Sequence, residues 1–178
     1  MPPNRSETLK TWFASEGPHL YCWLRARLGP SVRRNLDLED LMQEVWFRAM
    51  RNPGSDDVVS PRAWLLSIAR NVLMEALRST MRQPIAALAG AEGTSPELAD
   101  EVTTLTRRIA RDESRQKFFR ELDGLEEDER LLLVQHGLEQ RPIDHVARLL
   151  GISTDAAHKR WQRLRDRLRQ LGSPAELL

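Results

Sequence analysis

The sequence predicts an all-α protein of two small helical domains joined by a flexible linker. Apolar residues recur at three- and four-residue spacing almost throughout, and no Val/Ile/Thr/aromatic alternation stands between turn signals. One charge-poor Ala/Gly stretch interrupts the helical pattern. At 178 residues and 40% hydrophobic content the chain can bury a core, and length alone permits one domain or two.

Taken in order, the spacing predicts helices at about 7–28, broken at Gly17-Pro18, then 38–51, 61–82, 96–121, 126–137, 142–150 and 154–171. Ser60-Pro61 and Ser95-Pro96 each offer an N-cap followed by proline at the first helical position. Gly137, Gly151 and Gly172 stand where C-terminal caps are expected. The stretch QPIAALAGAEGTS is the natural linker, so the domains are read as 1–82, a linker at 83–95, and 96–178 with a helix-turn-helix at 142–171. The start of the second compact unit stays open anywhere between Pro96 and Phe118.

Net charge is only +1, but it is polarised. Glu121, Asp123, Glu126, Glu127, Asp128 and Glu129 cluster together, whereas the last thirty residues are dense in Lys and Arg. A lone cysteine, Cys22, excludes an intramolecular disulfide and a Cys-based zinc site, and fits a reducing compartment. The opening MPPNRSETLKTWF lacks the apolar core of a signal peptide, and no run of about eighteen apolar residues could span a bilayer. A cytoplasmic location without membrane contact is expected.

From Arg141 the chain reads RPIDHVARLLGISTDAAHKRWQRLRDRLRQL. Ile143, Val146, Ala147 and Leu150 form the apolar side of a short helix, Gly151 can turn left-handed, and Ser153 caps the next helix. Small Ala147 permits close backbone approach, and Ile152 plugs the angle between the helices. In the second helix Ala157, Trp161, Leu164, Leu168 and Leu171 form the core stripe, with Trp161 read as core. Asp155, Ala156, His158, Lys159, Gln162, Arg163, Asp166 and Arg167 face outward with Arg160 on the flank, a polar and cationic set able to read base edges or hold phosphates. A merely solvated cationic helix is the plainer alternative.

Two further amphipathic helices stand out, LDLEDLMQEVWFRAM and SPRAWLLSIARNVLMEALRS. In the first, Leu41, Met42, Val45, Trp46 and Ala49 are apolar, leaving Asp40, Gln43, Glu44 and Arg48 as a front-loaded acidic surface suited to a basic protein partner. In the second, Leu65, Ile68, Val72 and Ala76 form the buried stripe, while Arg62, Arg70, Asn71, Met74 and Arg78 occupy other faces. Arginines with an asparagine suggest phosphate and base contacts.

These blocks together resemble the extracytoplasmic-function sigma factors, a group within the sigma-70 family: the two amphipathic helices at 38–51 and 61–82 resemble region 2, and the stretch from Leu122 to Arg169 resembles region 4. The resemblance implies a factor that binds core RNA polymerase and promoter DNA, with region 4 on the minus-thirty-five element and region 2 opening the minus-ten element. It implies that Asp40, Gln43 and Glu44, with Asp37 beside them, face the polymerase clamp helices. It places Arg62, Trp64, Arg70, Asn71 and Arg78 along the minus-ten strand, and the loop from Asn52 to Ser60 beside the pocket for a flipped-out base. Asp155, His158, Lys159, Arg160, Gln162, Arg163 and Arg167 are the minus-thirty-five candidates. An anti-sigma protein is a further partner found in this group, though no residue here identifies one. Ala157 and His158 depart from the family's usual Val-Lys pair, and Glu75 replaces an Asp of the region 2 block.

No catalytic grouping accompanies these blocks. His19, His136, His145 and His158 lack metal-ligand spacing, and there is no Gly-rich phosphate loop or nucleophile elbow, so neither an enzyme nor a cofactor is expected. The alternative is a sigma-like adaptor or decoy that binds polymerase or an anti-sigma protein without recognising promoters. The cationic face of the last helix argues against it, because a decoy need not neutralise phosphates.

Overall fold

The structure is a computed structural model that describes residues 5–52, 58–82 and 96–171. Among the described residues it is built of helices, with no strand. They are α1 (Arg5–Val32), α2 (Leu38–Arg51), α3 (Pro61–Arg82), α4 (Pro96–Arg111), α5 (Glu113–Gly124), α6 (Glu127–Leu132), α7 (Ile143–Leu150) and α8 (Thr154–Gln170), with a π-helical turn over Leu133–Leu138. The expected linker at 83–95, the Ser95 cap and the Gly172 cap lie outside the described residues.

Helix α2 begins where expected because Asp37 caps it, its carboxylate accepting the Glu39 N–H at 2.7 Å. Ser60 likewise caps α3, accepting the Ala63 N–H at 3.3 Å. The expected stripes of both helices are buried, joined by Leu38, Leu66, Ala69 and Leu73.

Helix α1 corrects the sequence reading. It runs through Gly17-Pro18 without a break, and the non-helical residue is Gly29, with φ 62° and ψ 169°. A residue before proline resists the α conformation partly because its Cβ meets the proline ring, and Gly17 has no Cβ. Gly29 holds a positive φ that suits glycine and precedes Pro30, so the kink falls there.

The chain divides into two compact units. The first comprises residues 1–24 and 30–109, and the second residues 25–29 and 110–178. The division at Ala110 falls inside the interval left open by the sequence, so most of α4 belongs to the first unit rather than to the second as the 96–178 boundary had it. In the first unit α2 packs on α3, and Phe13 of α1 meets Trp46 of α2 edge-on at 4.6 Å between ring centroids.

In the second unit α6, the π-helical turn, α7 and α8 pack together. The expected helix 96–121 is two helices, interrupted at Asp112. The segment Arg25–Gly29 is fastened here by a two-bond ion pair from Arg25 to Asp123, at 3.0 and 2.7 Å, and by Arg130, which donates to the Ala26 and Leu125 carbonyls at 3.2 and 2.9 Å. Gly151 caps α7 in the left-handed conformation with φ 64°, and Ser153 caps α8 by accepting the Ala156 N–H at 3.2 Å.

Gly137 does not cap a helix. It lies within the π-helical turn, where a Cβ would come to 2.6 Å from Trp161 Cη2. Glycine is required there for close approach to an indole, a contact between residues distant in sequence that local capping signals do not encode.

Candidate functional site

On α2 the four acidic and amide candidates differ in availability. Asp37 is engaged as the cap. Asp40 is exposed, yet its carboxyl is pushed above its ordinary value, first by partial desolvation and then by the neighbouring Asp37 and Glu39 carboxylates. A cationic partner at this spot would relieve that repulsion. Gln43 is half-buried and donates from Nε2 to Thr103 Oγ1 of α4 at 2.6 Å. Glu44 is also half-buried, accepting from Arg48 at 2.7 Å, and Arg48 reaches on to Glu75 of α3 at 2.6 Å. Arg48 is held above, and Glu75 below, its ordinary value by that bond first of all. The expected exposed set of Asp40, Gln43, Glu44 and Arg48 is therefore exposed only at Asp40. Glu75, the departure from the usual Asp, helps tie α2 to α3.

On α3 the candidates fall into two groups. Arg62 is bound to Glu16 of α1 at 2.7 Å, and Trp64 meets Trp12 of α1 edge-on at 5.8 Å. Both hold the start of α3 to α1. Ser67, Asn71, Met74 and Arg78 are exposed on one face, and Arg70 is half-buried beside it. In the loop read as a base pocket, residues 53–57 lie outside the described residues, while Val59 is almost wholly exposed.

On α8 the seven candidates also divide. Asp155, His158, Lys159, Gln162 and Arg163 recur at three- and four-residue spacing on one exposed face. Among the described residues His158, Lys159 and Gln162 make no side-chain hydrogen bond or ion pair, and Arg163 donates only to the Lys159 carbonyl at 3.3 Å. Arg160 and Arg167 instead turn to the acidic cluster. Arg160 pairs with Asp128 at 2.9 Å, and Arg167 with Glu129 at 2.7 Å and Glu121 at 2.8 Å. Arg167 is held above its ordinary value mainly by the bond to Glu129. Beneath them Ala157, Trp161, Leu164 and Leu168 are buried as expected, with Leu171 only partly so.

Comparison with known proteins finds a family on the first part of the chain. Residues 4–83 match the family Sigma-70 region 2. The match assigns α1 to α3, rather than the whole chain, to that family. The region 2 match ends with α3, so α4 lies beyond it in sequence while sharing its compact unit. The chain is also similar to the ECF RNA polymerase sigma factor SigJ of Mycobacterium tuberculosis, with 29% identity over 139 residues. That alignment covers 72% of this chain but 41% of the relative, less than half its length. No solved structure was found to match.

What the sequence reading missed is the role of α4. Val102, Thr103, Thr106 and Ile109 are buried, and Arg107 pairs with Glu39 of α2 at 3.0 Å. The run VTTLT carries the amphipathic spacing but no mark of its partner. Among the described residues no helix is long and apolar enough to cross a membrane, and no group of three or more His, Cys, Asp or Glu could hold a metal ion.

Proposed function

We propose that the protein is an RNA polymerase sigma factor of the extracytoplasmic-function group, acting in the cytoplasm to direct core polymerase to promoters. The observation that carries this reading is a sigma-70 region 2 match in the first unit, with a second unit whose last helix presents an exposed polar and cationic face. The acidic edge of α2 at Asp40 docks on a basic surface of polymerase. The exposed face of α3, with Asn71 and Arg78, runs along the minus-ten strand, and Lys159, Gln162 and Arg163 of α8 enter the minus-thirty-five major groove. Arg62, Trp64, Arg160 and Arg167 serve by orienting α3 and α8, because their side chains are engaged within the protein. Joining two modest DNA contacts in one chain makes the second intramolecular, so correctly spaced elements bind far better than either alone.

The direct test is run-off transcription with core RNA polymerase of the source bacterium on fragmented genomic DNA. New start sites sharing two spaced upstream elements are expected. Polymerase binding without new start sites would favour an adaptor or decoy. A narrower prediction concerns docking. Asp40→Ala combined with Glu44→Ala weakens polymerase binding by about tenfold, with Asp40 giving most of the loss because Glu44 is occupied by Arg48. Fluorescence anisotropy against core polymerase measures this, and unchanged affinity removes α2 from the interface.

A further inference from the structure

We propose that α4 is a displaceable cover on the polymerase-docking face of α2, and that core polymerase must dislodge it to bind. This rests on the docking role assigned to α2 above.

The contacts fall on the docking helix itself. Thr103 takes the Gln43 amide at 2.6 Å, and Arg107 takes the Glu39 carboxylate at 3.0 Å, one residue before Asp40. A polymerase clamp helix seeking Gln43 and the acidic edge meets α4 already bonded to both sides of Asp40. Arg107 supplies the cationic group that a basic partner would bring, so the two compete in charge as well as in space.

The seat for α4 is built into α1. Gly17 lies beneath Leu105, where a Cβ would stand 3.0 Å from Leu105 Cδ2. Thus the glycine expected to break α1 instead receives the cover.

The cover is built to come off. Its buried side includes Thr103 and Thr106, and Thr106 spends its hydroxyl on its own Val102 carbonyl at 2.8 Å. Val102, Thr103, Thr104 and Thr106 are β-branched residues that weaken an isolated helix, so α4 draws its stability from its seat rather than from its own propensity. Beside it an open groove of about 430 Å³, walled by Phe13, Ala14, Trp46 and Leu105 with Lys10 and Arg108 also lining it, leaves the packing incomplete. A helix whose described contacts with α2 are two polar ones, beside a partly filled apolar seat, can exchange for a tighter-fitting partner.

The test measures affinity of the full chain for core RNA polymerase. Val102→Asp with Ile109→Asp unseats α4 without touching α1, α2 or α3, and should tighten binding about tenfold, within the usual range for such coupling. Arg107→Glu, on an exposed side chain, should tighten it about threefold while leaving the core intact. Unchanged or weaker binding by Arg107→Glu, in a variant that melts like the parent, overturns the cover. Hydrogen exchange on the unaltered protein gives an independent readout, because amides 102–109 should exchange faster once polymerase is bound. Slower exchange there would mean that α4 stays and contributes to the interface. The docking reading fails separately: if Asp40→Ala with Glu44→Ala leaves affinity unchanged, α2 is not the docking helix.

Discussion

Replacing Trp161 by alanine will destabilise the second unit by about 3–5 kcal/mol, the usual cost of emptying a buried aromatic site. Trp161 is only 7% exposed, stands edge-on to His136 at 5.1 Å and closes over Gly137. A small domain has roughly 5–15 kcal/mol to lose, so this one side chain holds a large share. Loss of amide protection in α6, α7 and α8, with protection retained in α2 and α3, is the expected hydrogen-exchange result. A mutational cycle sharpens it. Gly137→Ala alone should cost about 1–3 kcal/mol by driving a methyl into the indole. Combined with Trp161→Leu, which removes that indole, it should cost less than the two single changes added together. Simple additivity would mean that Gly137 is needed for its backbone and not for the indole above it.

The same indole shows what a sequence can and cannot say about this fold. Period and capping are local: period located α2, and capping located α3 and the turn before α8 because Ser60, Gly151 and Ser153 each act within four residues of themselves. Glycines gave the wrong local meaning twice. Gly17 looked like a break and Gly137 like a C-terminal cap, yet both are clearances for a side chain more than twenty residues away, Leu105 in one case and Trp161 in the other. The candidate residues show the same limit. Helical spacing identified an outward face on α8, but Arg160 and Arg167 lie at its flank within reach of Asp128, Glu129 and Glu121, and only tertiary packing decides that. The acidic run at 121–129 was visible as a charge cluster, and its partner was not. Likewise α4 displayed a clear apolar stripe without indicating that it would seat on the first unit, since a stripe specifies burial and not the surface that supplies it.

The division of α8 into free and engaged cations makes opposite predictions for two pairs of equal charge. Lys159→Ala with Arg163→Ala should weaken promoter binding roughly a hundredfold, about tenfold for each lost phosphate or base contact. The dependence of log affinity on log salt should become shallower by up to about two, as two fewer phosphates are neutralised. Arg160→Ala with Arg167→Ala removes the same charge but should change affinity by only a few-fold. Its effect is on stability, at about 0–1 kcal/mol for each exposed pair, since solvent screens ion pairs whose arginines are 42% and 43% exposed. Both arginines also leave Asp128, Glu129 and Glu121 unbalanced beside the DNA-facing helix, so whatever affinity is lost should be recovered by neutralising those acids. Loss of affinity in the second pair equal to that in the first, with no recovery on neutralising the acids, would mean that these ion pairs open on DNA. The recognition face would then extend around the flank of α8 and include all four cations.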